Sequence, residues 1–211
     1  MGGGPSTPAL PQRCPGAGGL GFLAAGYKTP DAVRADLEQL RGRLSAAGPF
    51  GVNLFAPPGH GNGVPDVETY AATLAQEAAR VGTELGEPRW DDDRYEEKLE
   101  LLREQRVPVV SLTFGCPSPA HVSALHDADL AVWVTVTTPA EARAACDAGS
   151  DALIVQGVEA GGHRGSFDDA APGDIGLLAL LQFVRGAVGE DMPLGARRSR
   201  PPRPRDHERP R

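Results

Sequence analysis

Short apolar runs alternate along this chain with longer segments in which apolar residues recur at helical spacing. The apolar runs are rich in Val, Ile and Leu, and each has the length of a single strand. They lie at 19–24, 51–55, 107–113, 130–136 and 152–157. The helical segments lie at 30–46, 66–85, 94–105, 117–126, 139–148 and 174–188. Several of these begin with Pro, Ser or Asp, as helices often do. The order predicts a repeated strand–helix unit.

Strands that are apolar on both faces and separated by helices are typical of a parallel sheet covered by helices. Such a sheet is either a closed barrel or an open, doubly wound sheet, and the apolar pattern alone does not distinguish the two. In both architectures the loops at the carboxyl ends of the strands carry the chemistry. The residues of interest are therefore those at the strand ends, which include Asn53, Gly115, Thr137 and Gln156.

Two segments interrupt the alternation. Residues 11–15 lie where a helix would lead into the first strand, and two prolines in these five residues oppose a helix there. A further strand is predicted to begin at 192–194, but an Arg- and Pro-rich sequence without apolar periodicity follows it. We therefore expect one domain over 1–194 and a disordered basic tail over 195–211.

The charge of the chain divides at the same place. The net charge is -7, yet residues 195–211 hold seven Arg against one Asp and one Glu, which leaves about -12 on the rest. An acidic body has no electrostatic reason to bind nucleic acid, and the basic segment has no apolar face. We expect no nucleic-acid partner.

The cysteines and the apolar content limit the cellular setting. Cys14, Cys116 and Cys146 form no Cys-x-x-Cys pair and have no His at metal-ligand spacing, so we predict neither a disulfide framework nor a metal site. No stretch approaches the length needed to cross a bilayer, and the first residues lack the apolar core of a secretion signal. We expect no membrane partner and a cytoplasmic location; the oligomeric state is left open.

A glycine-rich loop with a histidine follows the strand at 152–157. The segment 152–167 reads ALIVQGVEAGGHRGSF and places Gly161 and Gly162 before His163. Adjacent glycines let the backbone approach a planar ring closely and leave amide N–H groups free to donate. A partly solvated histidine on such a loop can exchange a proton at working pH. An isolated histidine in a Gly-rich loop is nevertheless more often a plain surface residue.

This segment resembles the signature of the nitronate monooxygenase family, formerly called 2-nitropropane dioxygenases. Residues 2–8, 18–27 and 50–55 are similar to other segments of that family, and the likeness extends over roughly 1–10 and 17–194. The resemblance implies an α/β fold, an incomplete (β/α)8 TIM barrel of parallel strands with FMN as cofactor. It also implies that alkyl nitronates are oxidised by FMN and O2 to a carbonyl compound and nitrite.

The resemblance implies roles for individual residues. His163 is implied to be catalytic, moving a proton or steadying the negative charge of the nitronate. The flavin is implied to contact Asn53, Gln156, Gly161, Gly162 and Gly3. In chemical terms, the Gln156 amide suits a flavin edge that both donates and accepts. Asn53 needs partners in its apolar strand, since an unmet buried amide costs about 1–3 kcal/mol. Bonds to nearby loop backbone would satisfy either residue equally.

The ends of the chain depart from the family pattern. In the family, the strand beginning near Met192 continues into a Gly-Gly segment and a further loop that grip the FMN phosphate, whereas Arg and Pro stand there in this chain. We expect a chain truncated or frame-shifted at both ends, with aberrant segments at 11–15 and 196–211. Two alternatives to an active nitronate monooxygenase follow: an FMN-dependent enoyl-acyl-carrier reductase with a similar loop, or an inactive fragment unable to retain FMN.

Overall fold

Six parallel strands form the centre of the computed structural model, which describes residues 7–14, 18–43, 49–57 and 67–197. The strands are β1 Gly21–Ala24, β2 Phe50–Phe55, β3 Val109–Thr113, β4 Ala131–Val136, β5 Ala152–Gln156 and β6 Leu194–Arg197. The helices are α1 Ala9–Arg13, α2 Pro30–Arg43, α3 Val67–Val81, α4 Tyr95–Glu104, α5 Pro119–His126, α6 Pro139–Asp147 and α7 Leu177–Val188.

The order of the strands separates the two architectures that the apolar pattern left open. Each strand pairs in parallel with the next one along the chain, from β1 through to β6. A doubly wound sheet reverses its order at a switch point, whereas a (β/α) barrel keeps chain order throughout. Six strands in unbroken order, with at least one helix between each consecutive pair, therefore form a half-barrel. The predicted fold class, a partial TIM barrel, is confirmed.

The core lies between the sheet and the helices. Every residue of β3 is buried, as expected for a central strand covered on both faces. Val33, Leu37 and Leu40 form the predicted apolar face of α2, and all three are buried in the core. In α7 the buried residues Leu177, Leu180 and Val184 recur at the same helical spacing. The amphipathic pattern thus predicts the packing of these helices.

The helix predicted over 66–85 ends earlier than its apolar pattern. Gly82 has a left-handed backbone with φ +70°, and its N–H donates to the carbonyl of Ala79. The next N–H, that of Thr83, donates to Ala78. This pair of bonds is a Schellman motif, which satisfies the last carbonyls of a helix and requires a residue that tolerates positive φ. The glycine therefore fixes the end of α3 at Val81.

One prediction is wrong: the proline-containing segment 11–15 was predicted to exclude a helix, but α1 spans Ala9–Arg13. Pro8 is the N-cap residue, so Pro11 is the third residue of the helix. N–H groups in the first turn have no acceptor within a helix, so the missing N–H of proline costs nothing there. Pro11 is buried.

The last strand extends further than the sequence predicted. No strand was predicted after Leu194, yet β6 continues to Arg197 and pairs with β5 from Leu153 through Gln156. Ladder hydrogen bonds are made by the backbone, so an unfavourable side-chain pattern does not prevent them. The domain boundary at 194/195 and the altered chain ends stay predictions. Residues 198–211 lie outside the part of the chain that the structure describes.

A close contact joins α1 to β1. A Cβ atom at Gly21 would lie 2.4 Å from the Cα of Pro11 and 2.7 Å from its carbonyl oxygen. Backbone atoms cannot move aside as the end of a flexible side chain can. The short helix is therefore packed on β1 at a distance that only glycine permits.

A lysine is fully buried in this fold. Lys98 of α4 is 1% exposed, and its Nζ lies 2.7 Å from Asp93 Oδ1 and 3.0 Å from the carbonyl oxygen of Ala25. The same Asp93 oxygen accepts a hydrogen bond of 2.9 Å from the N–H of Tyr27. Through these bonds α4 holds the loop that follows β1. The helical pattern of the sequence did not predict this role for Lys98.

Replacing Gly21 by Ala should destabilise the fold because the added methyl group would overlap the Pro11 backbone. We expect a loss of about 1–3 kcal/mol in the free energy of unfolding, the usual cost of overpacking, measured by urea denaturation. Gly42→Ala is the matched control, since a Cβ at this exposed position of α2 meets no atom within 4 Å. Alanine should stabilise that helix by roughly 0.5–1 kcal/mol. Wild-type stability of the Gly21 variant would contradict the packing of α1 on β1.

Replacing Lys98 by Met should also destabilise the fold, because it leaves the carboxylate of Asp93 without its cation. Removing one partner of a buried pair costs about 3–5 kcal/mol. The double variant Lys98→Met/Asp93→Asn should recover a large part of this loss, since the Asn oxygen still accepts from the Tyr27 N–H and no charge is left unpaired. Urea denaturation of both variants measures the difference. A double variant less stable than Lys98→Met would show that the pair does not act as described.

Candidate active site

A row of polar side chains crosses the sheet near the carboxyl ends of β2, β3 and β4. Asn53 Nδ2 donates to Ser111 Oγ and to Thr113 Oγ1, each at 3.0 Å, and lies 3.2 Å from the carbonyl oxygen of Ser111. Thr113 Oγ1 lies 3.2 Å from Thr135 Oγ1. All four residues are buried. The amide nitrogen of Asn53 is therefore satisfied by its neighbours in this polar row, Asn53, Ser111, Thr113 and Thr135.

Gln156, the last residue of β5, binds the loop that follows it. Its Nε2 donates to the carbonyl oxygen of His163 at 3.3 Å, and its Oε1 accepts from the N–H of Gly165 at 2.6 Å. The residue is only 3% exposed. Both ends of the amide thus hold the glycine–histidine loop, residues 157–167, to the end of its strand.

Gly165 brings that loop onto the polar row. A Cβ atom at Gly165 would lie 2.9 Å from Thr135 Cγ2 and 3.2 Å from both Thr113 Cγ2 and Gln156 Oε1. The peptide backbone therefore rests directly on side chains of three neighbouring strands. This contact places His163 at the same edge of the sheet as Asn53 and Gln156.

A row of aromatic rings crosses the mouth of the half-barrel. The exposed ring of His163 meets Phe114 with centroids 6.0 Å apart, and Phe114 meets Phe55 at 4.8 Å. Phe55 in turn contacts Tyr27 at 5.2 Å, and all three contacts are edge-to-face. This aromatic row, Tyr27, Phe55, Phe114 and His163, runs from the loop after β1 to the loop after β5. Its four members come from different strand–helix units, so no local pattern in the sequence predicts the row.

Two members of the aromatic row have a left-handed backbone. Tyr27 has φ +62° and Phe114 has φ +79°, although neither is glycine. Such conformations cost of order 1–3 kcal/mol each and persist only where the surrounding structure holds them. For Tyr27 that support includes the bond from its N–H to Asp93. Backbone strain of this kind clusters at functional sites, which fits the contact of Phe114 with His163.

The first part of the glycine–histidine loop is open. Gly161 and Gly162 are exposed, and a Cβ atom at Gly162, where φ is +78°, would meet nothing within 4 Å. A planar ring can therefore approach these exposed peptide groups closely. The residues present fit the ring of a flavin. Gly3 lies outside the described residues. The segment beyond the last strand, where the family binds the FMN phosphate, lies outside them as well.

The thiol of Cys116, close after the end of β3, is not suited to nucleophilic catalysis. Burial raises the pKa of the Cys116 thiol to about 11, so this side chain is protonated at neutral pH and a poor nucleophile. Within 7–14, 18–43, 49–57 and 67–197, no three His, Cys, Asp or Glu residues are grouped as a metal site would require. No helix in that part of the chain is long and apolar enough to span a membrane.

The structure thus brings most of the predicted site residues together. His163, Gly161, Gly162 and Gln156 lie in or beside one loop, and Gly165 links that loop to the row that contains Asn53. Contact of these residues with a flavin stays a prediction. Gln156 binds loop backbone, which was the alternative to a flavin contact. The Asn53 nitrogen instead binds Ser111 and Thr113 of the neighbouring strand β3, not loop backbone.

Known proteins resemble this chain over most of its length. The family model for nitronate monooxygenase matches residues 1–196. A nitronate monooxygenase from Pseudomonas aeruginosa is 37% identical over 196 residues, which cover 88% of this chain and 54% of that protein. The chain therefore spans about half the length of the relatives that it matches.

Solved structures show the same relationship. Nitroalkane oxidase from Streptomyces ansochromogenes is 48% identical with a TM-score of 0.80, covering 93% of this chain and 56% of the other. FabK from Thermotoga maritima is 26% identical with a TM-score of 0.63, covering 93% of this chain and 49% of the other. From the match of the family model and the identity to the Pseudomonas protein, the chain belongs to the nitronate monooxygenase family.

Proposed function

We propose that this chain acts in FMN-dependent nitronate monooxygenase chemistry, in which O2 oxidises an alkyl nitronate to a carbonyl compound and nitrite. The observation that carries the proposal is the position of His163. Its ring is exposed at the mouth of the half-barrel, while its backbone carbonyl is bound by Gln156 at the end of β5. Family membership supports the reaction type, and the 48% identity to a nitroalkane oxidase supports a nitro compound or its anion as substrate.

The cofactor proposal concerns the ring of FMN, which would supply the electron transfer when bound. Gly161 and Gly162 would face the ring with their exposed peptide groups, and Gly3 and Asn53 are proposed as further contacts. Gln156 would act mainly through the loop, since its amide already binds His163 and Gly165.

His163 would handle the proton and the charge of the reaction. A nitronate is an anion, so a protonated imidazole stabilises it, and a neutral imidazole can take a proton from a nitroalkane. The Phe114 ring against the imidazole limits the orientations that His163 can adopt. The remaining rings of the aromatic row would contact the alkyl part of the substrate and exclude water from it. These assignments agree with an exposed but oriented histidine.

The proposed partners are an alkyl nitronate and O2. A cytoplasmic location without nucleic-acid or membrane partners stays a prediction from the sequence. The oligomeric state stays open.

The purified full chain, supplied with FMN and desalted, should retain flavin absorbance. With the nitronate of 2-nitropropane and O2 it should then release nitrite. Two results would contradict the proposal. A chain that keeps no flavin and releases no nitrite would be the inactive fragment, whereas NADH oxidation with an enoyl thioester and no nitrite would indicate the enoyl reductase.

Replacing His163 by Ala should lower the turnover number for nitrite release by about 10²- to 10⁴-fold, the usual contribution of a general acid or base. Flavin retained per chain should change little, because the peptide groups of the loop remain. His126→Ala is the matched control, since this exposed histidine pairs with Asp151, which precedes β5 at the opposite end of the sheet. Equal turnover of the two variants would remove His163 from the mechanism.

A further inference from the structure

Glu141 joins two neighbouring strand–helix units at the mouth of the half-barrel. It is the third residue of α6 and follows the carboxyl end of β4. Its Oε2 accepts from the N–H and the hydroxyl of Thr137 at 2.5 and 2.9 Å. Its Oε1 accepts from Ser166 Oγ at 3.1 Å and from the N–H of Phe167 at 2.8 Å. One oxygen thus binds the loop after β4, and the other binds the glycine–histidine loop.

These four hydrogen bonds use the carboxylate fully. An ionised carboxylate offers about four acceptor positions, and bonds to it are stronger than those between neutral groups. The donors come from well-buried residues, since Thr137 is 1% and Ser166 is 2% exposed. The Ser166 hydroxyl also lies 3.0 Å from the carbonyl oxygen of Asp168. Loss of the carboxylate would remove the one side chain that accepts from both loops. The arrangement therefore constrains both loops.

The bonds lie close to His163 along the chain. Gln156 binds the backbone at His163 and Gly165, and Glu141 binds the Ser166 hydroxyl and the backbone N–H of Phe167. The backbone over 163–167 is thereby bound from the strand that precedes it and from the neighbouring helix. Gly161 and Gly162, on the other side of the histidine, are exposed. The position of the imidazole therefore depends on the anchored side of the loop.

We propose that Glu141 is a positioning residue for His163, which sets the place of the imidazole in the mouth through the Ser166 hydroxyl and the backbone N–H of Phe167. The proposal rests on the catalytic role proposed for His163. The competing explanation is helix capping, because Glu141 stands three residues after the N-cap Thr138, whose Oγ1 accepts from the Glu141 N–H at 3.1 Å. A capping residue would stabilise α6 without setting the loop.

Glu141→Gln tests the proposal, because it keeps the shape of the side chain but replaces one acceptor oxygen by an NH2 group that faces donors. We expect the amide of Phe167 to exchange with solvent about tenfold faster in the flavin-free chain, measured by hydrogen–deuterium exchange. In the flavin-loaded chain kcat should fall by about 10- to 100-fold with little change in KM, as expected when a catalytic group is misplaced.

Two further variants make the test decisive. Thr138→Ala removes the other cap of α6 and leaves the bonds of Glu141 to the loop, so Phe167 exchange and kcat should stay near wild type. Ser166→Ala removes the bond of the Ser166 hydroxyl to Glu141, together with its bond to the carbonyl oxygen of Asp168 within the loop. It should change both readouts in the same direction as Glu141→Gln, to a smaller extent. If Glu141→Gln does not fold, Ser166→Ala is used to test the proposal in its place.

The outcomes separate this proposal from the proposed function. The positioning role would be overturned if the Phe167 amide exchanged no faster in Glu141→Gln and Ser166→Ala than in Thr138→Ala. It would also be overturned if exchange became faster while kcat stayed unchanged. If the wild-type chain releases no nitrite, the proposed function fails, and the exchange measurement still decides whether Glu141 holds the loop.

Discussion

Parallel pairing of the strands in chain order is the constraint on which the site depends. Because all six strands point the same way, the loops after β1 to β5 leave the sheet at one edge. The register pairs Asn53 with Ser111, which lets residues 58 positions apart share a hydrogen bond. A slip of one residue would turn each side chain to the other face of the sheet and break the polar row. The glycine–histidine loop would then lose the surface on which Gly165 rests.

Within the site, the hydrogen-bonded polar groups and the solvent-exposed groups lie in different places. Below the loop, the polar atoms bind one another, as Asn53 does with Ser111 and Thr113 and Gln156 does with the loop backbone. At the mouth, the peptide groups of Gly161 and Gly162 and the ring of His163 are exposed. A reacting side chain needs a fixed backbone and an accessible functional group, and this division provides both. Polar residues at the strand ends therefore shape the loop as much as they could contact a ligand.

Elements that depend on local pattern could be predicted from the sequence. Strands buried on both faces appear in the sequence as apolar runs, and helices appear as apolar residues at helical spacing. Five strands and six helices were therefore predicted close to their observed bounds. Details set by position within an element were less accessible: Pro11 was read as a helix breaker because its place in the first turn of α1 was not recognised. The role predicted for His163 depends on the family resemblance, since a histidine among glycines carries little information by itself. The aromatic row left no periodic signal at all.

Lys98 and Glu141 show why the remaining contacts could not be predicted. Each is a charged residue near the start of a helix, a position that usually indicates solvent exposure or capping. Lys98 instead binds the carbonyl of Ala25, 73 residues earlier, and Glu141 binds Ser166 and Phe167, 25 and 26 residues later. Core packing fixes the strands of a barrel but leaves its loops free to vary. Bonds from the helix of one unit to the loop of another hold the loops, which core packing does not. Their partners are set by the order of the strands in the sheet and not by any local pattern.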